Sequence, residues 1–213
     1  MPGPNDKTRR WMRAAAIPAA LAVSALIVWQ ASYSAFSGTT DSPGNQWSTG
    51  SVSLQNDTTG SYATTGTLMF NPGAVAPGDS GSWCVNVKNN GTTAGTAGNP
   101  IKFFAPLPAN LSTNTLAQNL TLTVTESTTA LTGGAAGSCT GFTALGTPTY
   151  NGLISALPAT YTAATAPAGT GLLAAGATRG YKLTWTLPSS APNTLQNQSL
   201  TGVDFAWSLQ VGS

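Results

Sequence analysis

Six acidic side chains and no histidine stand in a chain of 213 residues, and that scarcity bounds the chemistry it can do. Without an imidazole there is no histidine-bearing catalytic triad, no H-E-x-x-H zinc site and few routes to a transition-metal centre. Asp41, Asp57, Asp79, Glu126 and Asp204 are scattered, no two within ten residues of one another, so a catalytic carboxylate pair would have to be assembled by the fold. Asp79 lies in Pro77-Gly78-Asp79-Ser80, where a carboxylate serves to cap a turn. Asp41 and Asp57 have the oxygen chemistry for calcium, but no EF-hand or repeat pattern surrounds them. Two cysteines without histidine make a poor zinc site. The expectation is a non-enzymatic chain with no catalytic residues, no cofactor and no metal.

Cys84 and Cys139 are the only cysteines. Both follow a segment built like an export signal, and in an oxidising compartment such a pair is expected to join as a disulfide. In the chain-entropy picture, closing a loop of that length stabilises a fold by about 4 kcal/mol.

The export segment has a basic run from Lys7 to Arg13, an apolar run of 16 residues from Ala14 to Trp29, and the small-residue stretch Gln30 to Ala35. The apolar run is shorter than the roughly 20 residues that span a bilayer. Pro18 interrupts it, so no permanent membrane anchor is expected. Cleavage is placed between Ser34 and Ala35, where Ser32 and Ser34 supply the small side chains that a signal peptidase requires. The stretch Thr8-Arg9-Arg10-Trp11 half-matches a twin-arginine signal, but Met12 and Arg13 break it, and general secretion is the reading adopted. Removing residues 1–34 changes the formal charge from +2 to −1, because five acids and four bases remain. No Lys/Arg cluster is left to neutralise phosphates, which argues against nucleic acid as a partner.

The aromatic residues offer a second kind of site. Trp47, Trp83, Trp185 and Trp207 are candidates for a sugar-binding platform. Trp185 and Trp207 fall on the apolar sides of alternating strands and are expected in the core, which leaves Trp47 and Trp83 open. Leu157-Pro158-Ala159-Thr160-Tyr161 resembles a sortase signal but lacks its final glycine, and neither an apolar segment nor a basic tail follows.

The elements that would position these residues read as strands. Tyr181, Leu183, Trp185 and Leu187 alternate with Lys182, Thr184 and Thr186, and Val203, Phe205, Trp207, Leu209 and Val211 alternate with small or polar residues. Weaker strands are expected at 50–55, 66–70, 82–89, 100–105 and 119–126, with turns between them at 71–73, 77–81 and 89–92. Residues 128–180, rich in Ala, Gly, Thr and Pro, are expected to form long surface loops, one tethered by Cys139. Charged residues are 7% of the chain, against about 25% in ordinary globular domains, and so weakly charged a surface permits self-association. The fold class expected is all-β: a cleaved signal helix over residues 1–34, a flexible segment over 35–46, and a single antiparallel jelly-roll or Ig-like β-sandwich over 47–213.

The order of four motifs carries a resemblance. Tyr33-Ser34-Ala35-Phe36-Ser37 is followed by Gly44-Asn45-Gln46-Trp47 with Gly50, Val52 and Leu54, then by Val75-Ala76-Pro77-Gly78-Asp79-Ser80 leading into a strand, then by Tyr181-Lys182-Leu183-Thr184-Trp185. Together they make the chain resemble the TasA/camelysin family of secreted bacterial proteins across essentially the whole of residues 35–213. The resemblance implies a jelly-roll-like sandwich, export helped by a dedicated signal peptidase, and a fibre-forming role in the extracellular or biofilm matrix. In such fibres the mature N-terminus is passed as a strand into the neighbouring subunit, which makes Phe36 and Ser37 candidate assembly residues and residues 35–46 the candidate donor strand. It also allows an accessory matrix protein or polysaccharide as a partner. Some members are labelled metallo-endopeptidases, an activity that a chain without histidine does not invite. A secreted peptidase and a carbohydrate-binding surface module are the two rival readings.

Overall fold

The computed structural model describes residues 51–58, 60–106, 111–133, 135–165 and 172–210. Among these residues seven strands form two sheets. They are β1 (Leu54–Asn56), β2 (Ser80–Asn89), β3 (Lys102–Phe104), β4 (Thr121–Glu126), β5 (Tyr150–Leu153), β6 (Thr178–Thr186) and β7 (Ala206–Ser208). All pairings are antiparallel. The larger sheet runs β1-β2-β6-β4-β5, and β3 pairs with β7 in the smaller one. The chain is all-β in class, and no helix among the described residues is long and apolar enough to cross a membrane.

The frame is the pairing of β2 with β6, in register from Ser80 opposite Thr186 to Lys88 opposite Thr178. Alternation on the pleat decides which side is core. Val85 and Val87 on β2, Tyr181 and Leu183 on β6, and Leu122 and Val124 on β4 share the inner face and are buried. The smaller sheet packs against that face. Tyr181 meets Trp207 with ring centroids 5.4 Å apart, and Phe103 meets Trp207 at 5.3 Å, tilted geometries that aromatic pairs favour.

The outer face carries hydroxyls. The Ser82 and Thr184 side-chain oxygens lie 2.9 Å apart, and Thr123 donates to Asn151 Oδ1 at 3.1 Å, so a polar row crosses β2, β6, β4 and β5. One end of this face is covered. The disulfide from Cys84 to Cys139 spans 55 residues of sequence with a Cα separation of 5.0 Å, and Cys84 N–H donates to the Gly137 carbonyl at 3.2 Å. Beside it, the buried Asn86 side chain donates to Asp57 Oδ2 and to the Leu131 carbonyl, and its Oδ1 accepts from Leu131 N–H. Each of its polar groups is therefore satisfied, which is the condition for burying an amide.

Three expectations change. The stretch 66–70 joins neither sheet. Thr67 is bonded to Thr58 by main chain and side chain, Met69 and Phe70 pack against the core through their side chains, and Leu68 is 69% exposed. At 50–55 the ladder extends only over Leu54–Asn56 among the described residues. Residues 128–180 hold a strand as well as loops: β5 pairs Tyr150 with Val124 through to Leu153 with Thr121.

Candidate functional site

Among the described residues the smaller sheet is open on one side. Ala105 N–H donates to the Pro158 carbonyl at 2.9 Å, so odd positions beside β3 face away from β7, while Lys102 and Phe104 pair with Ser208 and Ala206. By the alternation of an antiparallel ladder, the main-chain groups of Phe205 and Trp207 then point away from β3. No backbone partner meets them there among the described residues.

A cleft of about 990 Å³ lies along these residues. Val87, Leu122, Trp185 and Leu187 of the larger sheet and its continuation line it, with Phe205 and Trp207 of the smaller sheet. Leu68, Met69 and Phe70 line it from the unpaired stretch, and Leu195 and Leu200 from the segment between β6 and β7. Phe70 touches Phe205 edge-on at 6.2 Å without forming a ladder. The site therefore combines unpaired main-chain groups with an apolar trough at the sandwich core. Chemically it offers burial and a backbone template, with Asp204 as the one ionisable residue among the described residues of its lining. An exposed edge of that kind is a template for another strand.

The sequence-selected residues fall as follows. Cys84 and Cys139 are joined. Asp79 caps its turn: Oδ2 accepts from Ala76 N–H at 2.7 Å, and Asp79 N–H donates to the Ala76 carbonyl at 3.0 Å. Trp185 is buried, with its indole against Gly81, where a Cβ would come within 2.6 Å of Nε1. Trp207 is half-buried among rings. Trp83 is also half-buried and lies on Gly137, where an added Cβ would meet the indole at 2.8 Å, so its ring packs on the disulfide loop instead of forming an open platform. The sortase-like stretch is built into the fold. Leu157 is buried, the Pro158 carbonyl holds Ala105, and the Tyr161 hydroxyl donates to the Pro100 carbonyl. Ser34, Ala35, Phe36 and Ser37, with Asp41 and Trp47, lie outside the described residues. Among the described residues no group of three His, Cys, Asp or Glu is placed to hold a metal ion.

Sequence reasoning counted Glu126 among the scattered acids and did not foresee that it is fully buried. Its Oε1 accepts from the Tyr181 hydroxyl at 3.1 Å, and its Oε2 lies 3.7 Å from Arg179 Nη1. The three residues meet because Glu126 and Tyr181 are register partners and Arg179 is two residues from Tyr181 on β6. Burial pushes the Tyr181 phenol well above its ordinary value; the Glu126 charge and hydrogen bond act in the same direction, and Arg179 opposes them. Tyr181 in turn touches Trp207, so the cluster braces the wall of the cleft from behind. The cleft itself was hidden because Leu195 and Leu200 lie in a stretch whose polar composition reads as a connection.

Comparison with protein-family models finds no match, and no curated protein matches the chain.

Proposed function

We propose that this is a secreted structural protein of the cell surface or biofilm matrix that assembles into fibres by strand donation. The carrying observation is the edge at Phe205 and Trp207, unpaired among the described residues and fronted by the apolar cleft. The reading agrees with the TasA/camelysin resemblance of the motifs around Phe36, Trp47, Asp79 and Trp185, and with a disulfide that suits an oxidising compartment. The donated element is residues 35–46 of a neighbouring copy. A strand laid beside β7 would add main-chain hydrogen bonds to an edge that lacks them and enlarge the smaller sheet toward a jelly-roll-like sandwich. Each bond contributes about 0.5 to 1.5 kcal/mol net, and Phe36 buried in the trough adds about 1.5 to 3 kcal/mol.

Electron microscopy of the mature protein tests this. Deleting Ala35 to Gln46 is expected to leave a folded, disulfide-bonded protein that makes no fibres. Phe36→Asp is expected to raise the concentration needed for fibres by about 10- to 100-fold, from the same burial term, with little change in monomer unfolding. Fibres formed unchanged by the deletion variant would refute the proposal.

A further inference from the structure

The larger sheet ends in an edge unlike the others. The β1 edge is closed where Asn56 and Ala63 exchange N–H to carbonyl bonds of 2.8 and 2.9 Å. On the smaller sheet, β3 is covered by Pro158, and the free side of β7 belongs to the cleft. That leaves β5. Ile154 N–H donates to the Leu120 carbonyl at 2.9 Å, which places even positions toward β4. Asn151 and Leu153 therefore turn their main-chain groups outward. Both residues are exposed, Leu153 to 38%. The Leu153 carbonyl is already taken by the Tyr150 hydroxyl, so the outward ladder is short and centred on Asn151.

We infer that β5 is a self-pairing edge: two copies of this chain join β5 to β5 antiparallel, about a two-fold axis through Asn151. In that register Asn151 N–H and C=O exchange bonds with Asn151 of the second copy, and Leu153 N–H meets the second copy's Thr149 carbonyl. The side chains fit the same symmetry. Asn151 Oδ1 accepts from Thr123, which leaves its Nδ2 to donate across the axis and extend the polar row into the second sheet. Charge permits it as well. No Asp, Glu, Lys or Arg occurs from Ser127 to Thr178, so two copies meet without like-charge repulsion. Edge strands are ordinarily protected by a lysine, an inward charge, a proline or a bulge, and β5 has none of these within Tyr150–Leu153. A second copy suits the edge better than a foreign strand because the amide at its centre has both a free Nδ2 donor and a second lone pair on Oδ1, which complement themselves across the two-fold, where an arbitrary strand would match the main chain alone. This pairing is lateral and does not depend on the cleft or on strand donation.

The test uses the mature chain carrying Phe36→Asp, held below the raised concentration that its fibres would need, and adds single cysteines. Hydrogen-bonded opposite residues have Cα atoms about 5.5 Å apart, within disulfide range, so Asn151→Cys is expected to cross-link into dimers in a glutathione redox buffer. Leu153→Cys is the register control. Its two copies would lie about 13 Å apart along the strands and should not cross-link. Ser82→Cys, on the same face but distant from the edge, sets the background. Mass mapping confirms that Cys84–Cys139 is retained. Without any added cysteine, Asn151→Lys is expected to weaken dimerisation in sedimentation velocity by about tenfold, with an unchanged circular dichroism spectrum. Dimers from Asn151→Cys no more abundant than from Ser82→Cys, equal dimers from Leu153→Cys, or undiminished association of folded Asn151→Lys would each overturn the inference.

Discussion

At the scale of single residues, Tyr181 and the disulfide each brace the fold. Tyr181 keeps its phenol protonated inside the sandwich because burial disfavours the phenolate and Glu126 beside it disfavours it further. The folded-state value is raised above that of the unfolded chain, so the unfolded chain gives up this proton first as pH rises. The stability it confers is therefore fully present below about pH 10 and is lost as pH climbs toward the folded value. Urea unfolding measured from pH about 8 to 11.5 should show stability falling across the upper part of that range, with a shallower fall in Tyr181→Phe. Equal slopes in the two proteins would assign the alkaline loss to other groups. The disulfide is the second residue-scale brace. Replacing Cys84 and Cys139 together by alanine should lower unfolding stability by about 4 kcal/mol if the closed loop acts on the unfolded chain. A loss under about 1 kcal/mol would mean that Asn86, bonded to both Asp57 and Leu131, already holds that loop in place.

At the scale of elements, legibility followed burial on one face. β2, β4 and β6 could be read because apolar and polar residues alternate along Trp83 to Asn89, Leu120 to Glu126 and Tyr181 to Leu187, the period of a half-buried strand. β5 could not. Its four residues include Gly152 and an exposed Leu153, and its place is set by pairing to β4 rather than by a pattern of its own. The converse error was 66–70, where Leu68, Met69 and Phe70 look strand-like but find no ladder, because their neighbours across the cleft are side chains. Of the candidate site, the disulfide and the Asp79 turn were legible from local chemistry. The cleft was not, since it exists only where segments more than a hundred residues apart in sequence, around Phe70 and Phe205, come together. Sequence periodicity carries no information about such long-range meeting.

At the scale of the whole molecule, the two sheets differ in completeness. Among the described residues the larger one has five strands with a central pair in register over nine positions, and the smaller one has two short strands beside an apolar trough. The proposed strand donation would join these facts to the low charge of the chain, because an almost uncharged surface tolerates close packing of copies. The claim has a specific main-chain signature. In the deletion variant lacking Ala35 to Gln46, the Phe205 and Trp207 amides have no backbone partner on their open side and should exchange with solvent at rates set by the cleft alone. In fibres of the mature protein those amides should bond to an incoming strand and exchange more slowly by about tenfold or more, since each bond must now open first. Hydrogen exchange of fibres against the deletion variant, resolved at Phe205 and Trp207, is therefore the most direct measurement. Protection of these two amides on assembly is the expected result, and fibres in which both exchange as fast as in the deletion variant would contradict strand donation at this edge.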